Sequence, residues 1–146
     1  IFILFLMIID GTDNLEYFLY KYNISKKDQK RAYVINNFYN EKDGLKTLNE
    51  ANLNKVLYYD GKQAVLDILN FKIMKTKKVD KKMLSLLELY KDKIVPSLPV
   101  GAYLLMTRYK IPEGRQLGSM LKLIEEEWVR NNFEISDKQI DNIVKG

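Results

Sequence analysis

Arg108, Lys110 and Arg115 flank a proline and a glycine in the stretch RYKIPEGRQLG, residues 108–118. Cations around a glycine that opens a helix are suited to hold a phosphate. Gly114 stands at that helix start, with Arg115 in the first turn. With no side chain there, an anion can approach the unpaired N–H groups and the positive end of the helix dipole. A second account of the same spacing stays open: Gly114 and Gly118 would let two helices pack closely. The turn is not a Walker A loop, which needs four residues between its glycines followed by Lys and Ser or Thr.

Two further basic segments could reach a polyanion. Lys72, Lys75, Lys77, Lys78, Lys81 and Lys82 lie within KIMKTKKVDKK, and SKKDQKR repeats the theme with Lys26, Lys27, Lys30 and Arg31. Each is also what a solvated helix end looks like; on a shared face they would bind phosphates without regard to sequence and with strong salt dependence. The consecutive carboxylates Glu125, Glu126 and Glu127 do not suggest a metal site. Helical neighbours point about 100° apart, so the three cannot converge and a solvated face is expected. The ten tyrosines fall at core spacing, and most are expected to be structural.

The chain has no cysteine and no histidine, which removes disulfides, thiolate and imidazole catalysis and ordinary zinc sites. No Asp-x-Asp pair occurs, so a two-metal carboxylate arrangement is missing too. A net charge of +5 and a pI near 9.2 suit a polyanionic partner. The longest apolar run, IFILFLMII, is too short to span a bilayer and lacks the flanks of a signal peptide, so no membrane partner is expected and a cytoplasmic location is. Ile1 in place of Met points to a fragment whose first helix begins further upstream.

Helices must position these residues, because almost every segment carries helical periodicity. Expected starts are Asp13, Ser25 with Asp28, Asp80, and a capping box of Ser136 and Gln139 with an Ile135–Ile140 staple. NEKDG is expected to turn, and Gly61 to end a helix. Apolar faces run through Ala32, Ile35, Phe38 and Tyr39, through Val65, Ile68, Leu69 and Ile73, and through Leu117, Met120, Leu121, Ile124 and Trp128. The reading is all-α: seven to nine mostly short helices in an irregular array, with a glycine-turned hairpin near the C-terminus. Pro96, Pro99 and Gly101 divide a helical body, residues 1–95, from a tail, 102–146, with 96–101 as linker.

KVLYYDGKQAVLDILNF, LPVGAYLLM and IPEGRQLGSMLKLIEEEWVRNNFEIS follow one another over residues 55–146. In order and spacing they resemble the C-terminal body and tail of the class II tRNA nucleotidyltransferase (CCA-adding) and bacterial poly(A) polymerase family. The resemblance implies an all-α portion that grips tRNA or another RNA by shape and phosphate. Catalysis, with Mg and CTP or ATP, would belong to a head absent from this chain, which itself needs no cofactor. On this reading the residues singled out above, Arg108, Lys110, Gly114 and Arg115 together with Lys75, Lys77 and Lys78, are the expected RNA contacts, with Gly118 serving helix packing. A non-enzymatic helical module that binds protein is the alternative, and homo-oligomerisation stays open.

Overall fold

The computed structural model describes residues 1–40, 48–78 and 80–146. Among the described residues the chain is all-α, with nine helices and no strand. They are α1 (Phe2–Ile8), α2 (Asn14–Lys21), α3 (Lys26–Asn40), α4 (Glu50–Asp60), α5 (Lys62–Lys75), α6 (Lys81–Asp92), α7 (Ala102–Arg108), α8 (Arg115–Arg130) and α9 (Asp137–Lys145). Of the turn expected at NEKDG, Asn40 ends α3 and residues 41–44 lie outside the described residues.

Most helix starts follow local chemistry. The Ser25 hydroxyl accepts the Asp28 N–H at 3.2 Å, Asp80 accepts the Lys82 N–H at 3.0 Å, and Ser136 with Gln139 closes a full capping box. Asp13 is the exception, because its side chain caps nothing. Asp10 does that work one turn earlier: its carboxylate accepts from the Thr12 N–H at 3.0 Å and from the Asn14 amide at 2.8 Å. Thr12 Oγ1 in turn accepts the Asn14 N–H, so an Asx-type turn replaces the expected cap.

The chain forms two compact units. The first joins residues 1–49 to 59–93 and is built on α5, against which α1, α3 and α6 pack. Ala64, Val65, Ile68, Leu69 and Phe71 are all buried, so α5 is covered on more than the single face its spacing suggested. Each large aliphatic side chain buried there contributes about 1.5–3 kcal/mol. Asp67 is buried among them at 2 % exposure, held by both nitrogens of the Arg31 fork and by Gln63 at 2.9 Å. Tyr39 donates its hydroxyl to the Ile68 carbonyl at 2.8 Å, and burial pushes its phenol pKa well up.

The second unit joins residues 50–58 to 94–146. Its core is Val100, Leu105, Ile111, Leu117, Ile124 and Ile140, with Met120, Leu121 and Ile135 packed against it. The expected apolar stripe of α8 is therefore present, and Ile135 and Ile140 belong to the same apolar cluster. Trp128 is buried with Tyr58 edge-on to its ring at 5.6 Å and Phe133 at 5.0 Å. The buried Asn54 donates to Asn132 Oδ1 at 2.8 Å. Asn132 sits at φ +58, closing α8 in a Schellman turn whose Phe133 N–H reaches the Trp128 carbonyl at 2.8 Å. The division thus differs from a body of 1–95. Residues 50–58 join the C-terminal unit, where Asn54 and Tyr58 find partners, a tertiary pairing that no local pattern encodes.

Candidate nucleic-acid interface

The hairpin α7–α8 is built around Ile111. Tyr109 ends α7, Lys110 takes a left-handed backbone at φ +57, and Ile111 turns into the core. Gly114 then begins α8 at φ +141, a conformation that side-chain-bearing residues rarely adopt. α8 starts with no side-chain cap and no acidic residue in its first turn. Its orphan N–H groups and dipole therefore face outward where Gly114 and Arg115 are exposed.

The two accounts of the glycines now separate. Among the described residues, nothing lies within 4 Å of where a Cβ would stand at Gly114 or at Gly118, and both are exposed. Close helix packing therefore explains neither, and the packing role expected of Gly118 is corrected. Gly114 is required by its backbone angle. Gly118 lies in ordinary helix with open space beside it.

The three cations of the turn have different fates. The Arg108 guanidinium is 3.1 Å from Asp137 and 4.0 Å from Asp141, and lies over the Tyr109 ring at 5.3 Å. Its hydrogen bond to Asp137 raises its pKa. Asp141 also accepts from the Tyr109 hydroxyl and pairs with Lys145 at 3.4 Å; the tyrosine contact chiefly holds its carboxyl below the usual range. Arg108 thus ties the end of α7 to α9, and a phosphate would have to compete with two carboxylates for it. Lys110 and Arg115 are exposed, and no ion pair engages either among the described residues.

In the first unit, α5 runs out at Lys75 and α6 begins at Lys81. Lys75, Lys77, Lys78, Lys81 and Lys82 are all exposed. Lys75 lies over the Phe71 ring at 5.5 Å, and no carboxylate pairs with any of the five among the described residues. Charge is segregated by unit. Residues 1–49 and 59–93 hold sixteen Lys and Arg against eleven Asp and Glu, whereas the unit with the glycine turn holds eight against eight. The whole excess of +5 thus lies in the unit that carries the lysine cluster and not in the one with the hairpin.

Neither a protein-family model, a curated protein nor a solved structure matches this chain. The geometry must carry the functional reading.

Two features escaped the spacing argument. Glu125 accepts from the Tyr58 hydroxyl, and Glu127 accepts from Arg130 and from the Asn131 amide. Only Glu126, 4.0 Å from Lys122, resembles the expected solvated face. Six of the ten tyrosines, Tyr17, Tyr20, Tyr22, Tyr33, Tyr59 and Tyr103, are exposed, against the expectation that most are structural. The first unit also has an open depression of about 530 Å³, lined by Asp13, Glu16, Asn36, Asn37 and Asn40 without a cation. Its two carboxylates would repel a phosphate. Among the described residues no helix is long and apolar enough to cross a membrane.

Proposed function

We propose that this chain is an RNA-gripping helical module, equivalent to the body and tail of a CCA-adding or poly(A)-adding nucleotidyltransferase, that holds tRNA or another RNA by phosphate and shape. One observation carries the reading: five exposed lysines at the α5–α6 turn whose ammonium groups form no ion pair among the described residues, in the unit that holds the entire charge excess. Structural lysines are ordinarily balanced by nearby acids. Unbalanced ones concentrate counterions, whose release on binding a polyanion drives association. The uncapped start of α8 beside Arg115 adds a second, weaker phosphate seat in the other unit. Phosphoryl transfer itself would require the Mg- and nucleotide-binding groups of a catalytic head.

The test is a titration of the chain against labelled tRNA and a hairpin lacking the tRNA elbow, at two salt concentrations. Tighter, salt-sensitive binding to whole tRNA is expected. Equal binding to both would reduce the site to a generic basic surface, and no binding would discard the reading.

A protein-binding role is the second reading, and α1 favours it. That helix buries Phe5 alone and leaves Ile3, Leu4 and Met7 exposed, an apolar face that a protein surface or a second copy of the chain would cover. Such an interface would be nearly insensitive to salt.

A further inference from the structure

α2 carries aromatic rings on its solvent side. Leu15 and Leu19 are buried on the other, as an amphipathic helix requires. Tyr17 is 63 % exposed, Tyr20 89 % and Tyr22, just past the helix end, 58 %. Tyr17, Tyr20 and Lys21 share one helical face by their spacing of three and four. Lys21 Nζ stands 5.3 Å from the Tyr17 ring centre and 5.8 Å from that of Tyr22, so the cation sits between two exposed rings. Tyr22 is braced from behind by Phe18 at 4.7 Å. Asn23, at φ +46, turns the chain within three residues to Lys26 and Lys27, both exposed and unpaired among the described residues. Glu16 is the one carboxylate of α2, and it lies in the first turn, at the far end from these cations.

Exposed rings interleaved with cations have a specific physical use. Every unpaired base offers a π-face to a tyrosine, while adjacent ammonium groups neutralise the phosphates between bases. A base inside a duplex has both faces covered by its neighbours and cannot use the rings. A purely apolar protein patch would match the tyrosines and leave Lys21, Lys26 and Lys27 without counter-charge.

We infer that α2 and the α2–α3 turn form a stacking platform for unpaired nucleotides, with Tyr17, Tyr20 and Tyr22 taking bases and Lys21, Lys26 and Lys27 the intervening phosphates. The inference rests on the RNA reading above and narrows it: the module prefers single-stranded RNA, such as a 3′ end or a loop, over duplex.

The experiment uses the full chain and two fluorescein-labelled probes, a twelve-nucleotide oligouridylate and a blunt RNA duplex of equal phosphate number, at one low salt concentration. Wild type should bind the single strand more tightly. Tyr17→Ala with Tyr20→Ala should weaken that binding roughly tenfold for each ring that stacks and leave duplex binding unchanged. Tyr17→Phe with Tyr20→Phe should retain it, since the face of the ring is kept. The substituted positions are exposed, and circular dichroism verifies that each variant keeps its helices. Wild type that binds RNA while the alanine variant matches it would overturn the platform alone. Equal affinity for strand and duplex would do the same. Wild type that binds neither probe would bring down the platform and the RNA reading together.

Discussion

Arg31 and Asp67 meet as a two-pronged pair, Nε to Oδ2 at 2.7 Å and Nη2 to Oδ1 at 2.9 Å, joining α3 to α5 across thirty-six residues of sequence. The carboxylate is buried while the guanidinium keeps one edge near solvent and adds Asp28 at 3.4 Å. The hydrogen bond to Asp67 is also what chiefly raises the Arg31 pKa. Removing one partner of such a pair leaves a buried charge uncompensated, which costs about 3–5 kcal/mol. Arg31→Ala should lose that much stability in chemical denaturation. Arg31→Lys should recover only part of it, because an ammonium cannot reproduce the fork. An alanine variant as stable as wild type would show that the pair adds nothing net to stability.

The two glycines of the hairpin should respond in opposite directions. Gly118→Ala places a methyl in open space within a helix and should stabilise by about 0.5–1 kcal/mol. Gly114→Ala must hold φ near +141 or rearrange the turn, and should destabilise by about 1–3 kcal/mol. Paired thermal melts test both, and a stabilised Gly114→Ala would mean that the turn relaxes freely.

Lys110 separates backbone from charge. Its left-handed φ favours glycine, so Lys110→Gly should leave stability unchanged or raise it by up to about 1 kcal/mol. The same change removes an exposed cation and should weaken RNA binding. Weaker binding in a fully folded variant assigns Lys110 to the interface, while unchanged binding confines it to the turn.

Arg108 and Arg115 differ in engagement, and salt titration should tell them apart. Arg115→Ala should weaken RNA binding and lower the slope of log K against log salt by about one, the signature of one lost phosphate contact. Arg108→Ala, whose guanidinium already faces Asp137, should leave the slope alone and loosen the α7–α9 junction. Equal slopes in the two variants would contradict this division.

Asp141 predicts an acid limb. Its carboxyl is held below the ordinary 3.8, first by the Tyr109 hydroxyl and then by Lys145 and Arg108. A depressed carboxylate supplies stability above its unfolded pKa and loses it as pH falls through the folded one. Melting temperature should therefore drop below about pH 4, and Asp141→Asn should flatten that drop. Parallel curves for variant and wild type would remove Asp141 as a contributor.

Much of this structure was legible wherever the cause is local. Ser25, Asp80 and the Ser136–Gln139 box cap their helices because a capping side chain and its target lie within one turn. The stripe Leu117–Ile124–Trp128 was legible for the same reason, since helical spacing alone sets it. Asp10 displaced Asp13 as the organiser of α2 because a turn of several hydrogen bonds outcompetes a single cap. The split of α4 at residue 58, the covering of α5 on several faces and the pairing of Tyr58 with Glu125 depend on which helices meet, and spacing is silent on that. The tyrosines of α2 show both sides of this. Helical spacing sets Leu15 and Leu19 on the inward side and leaves Tyr17 and Tyr20 off that stripe, as observed, whereas Tyr22, in step with the stripe, is exposed past the helix end. Of the interface residues named from spacing, Lys110, Arg115 and the α5–α6 lysines are exposed, while Arg108 is taken up by α9.

Glycines at 114 and 118 place two poor helix formers at the start and in the second turn of the sixteen-residue α8, far from Trp128. Local opening begins where the fewest interactions are lost, so backbone amides of residues 115–119 should exchange with deuterium well before those around residue 128. An anion seated at that end would slow the exchange of those same amides without altering the fold. The start of α8 therefore serves as a built-in reporter of occupancy, read at its own backbone amides.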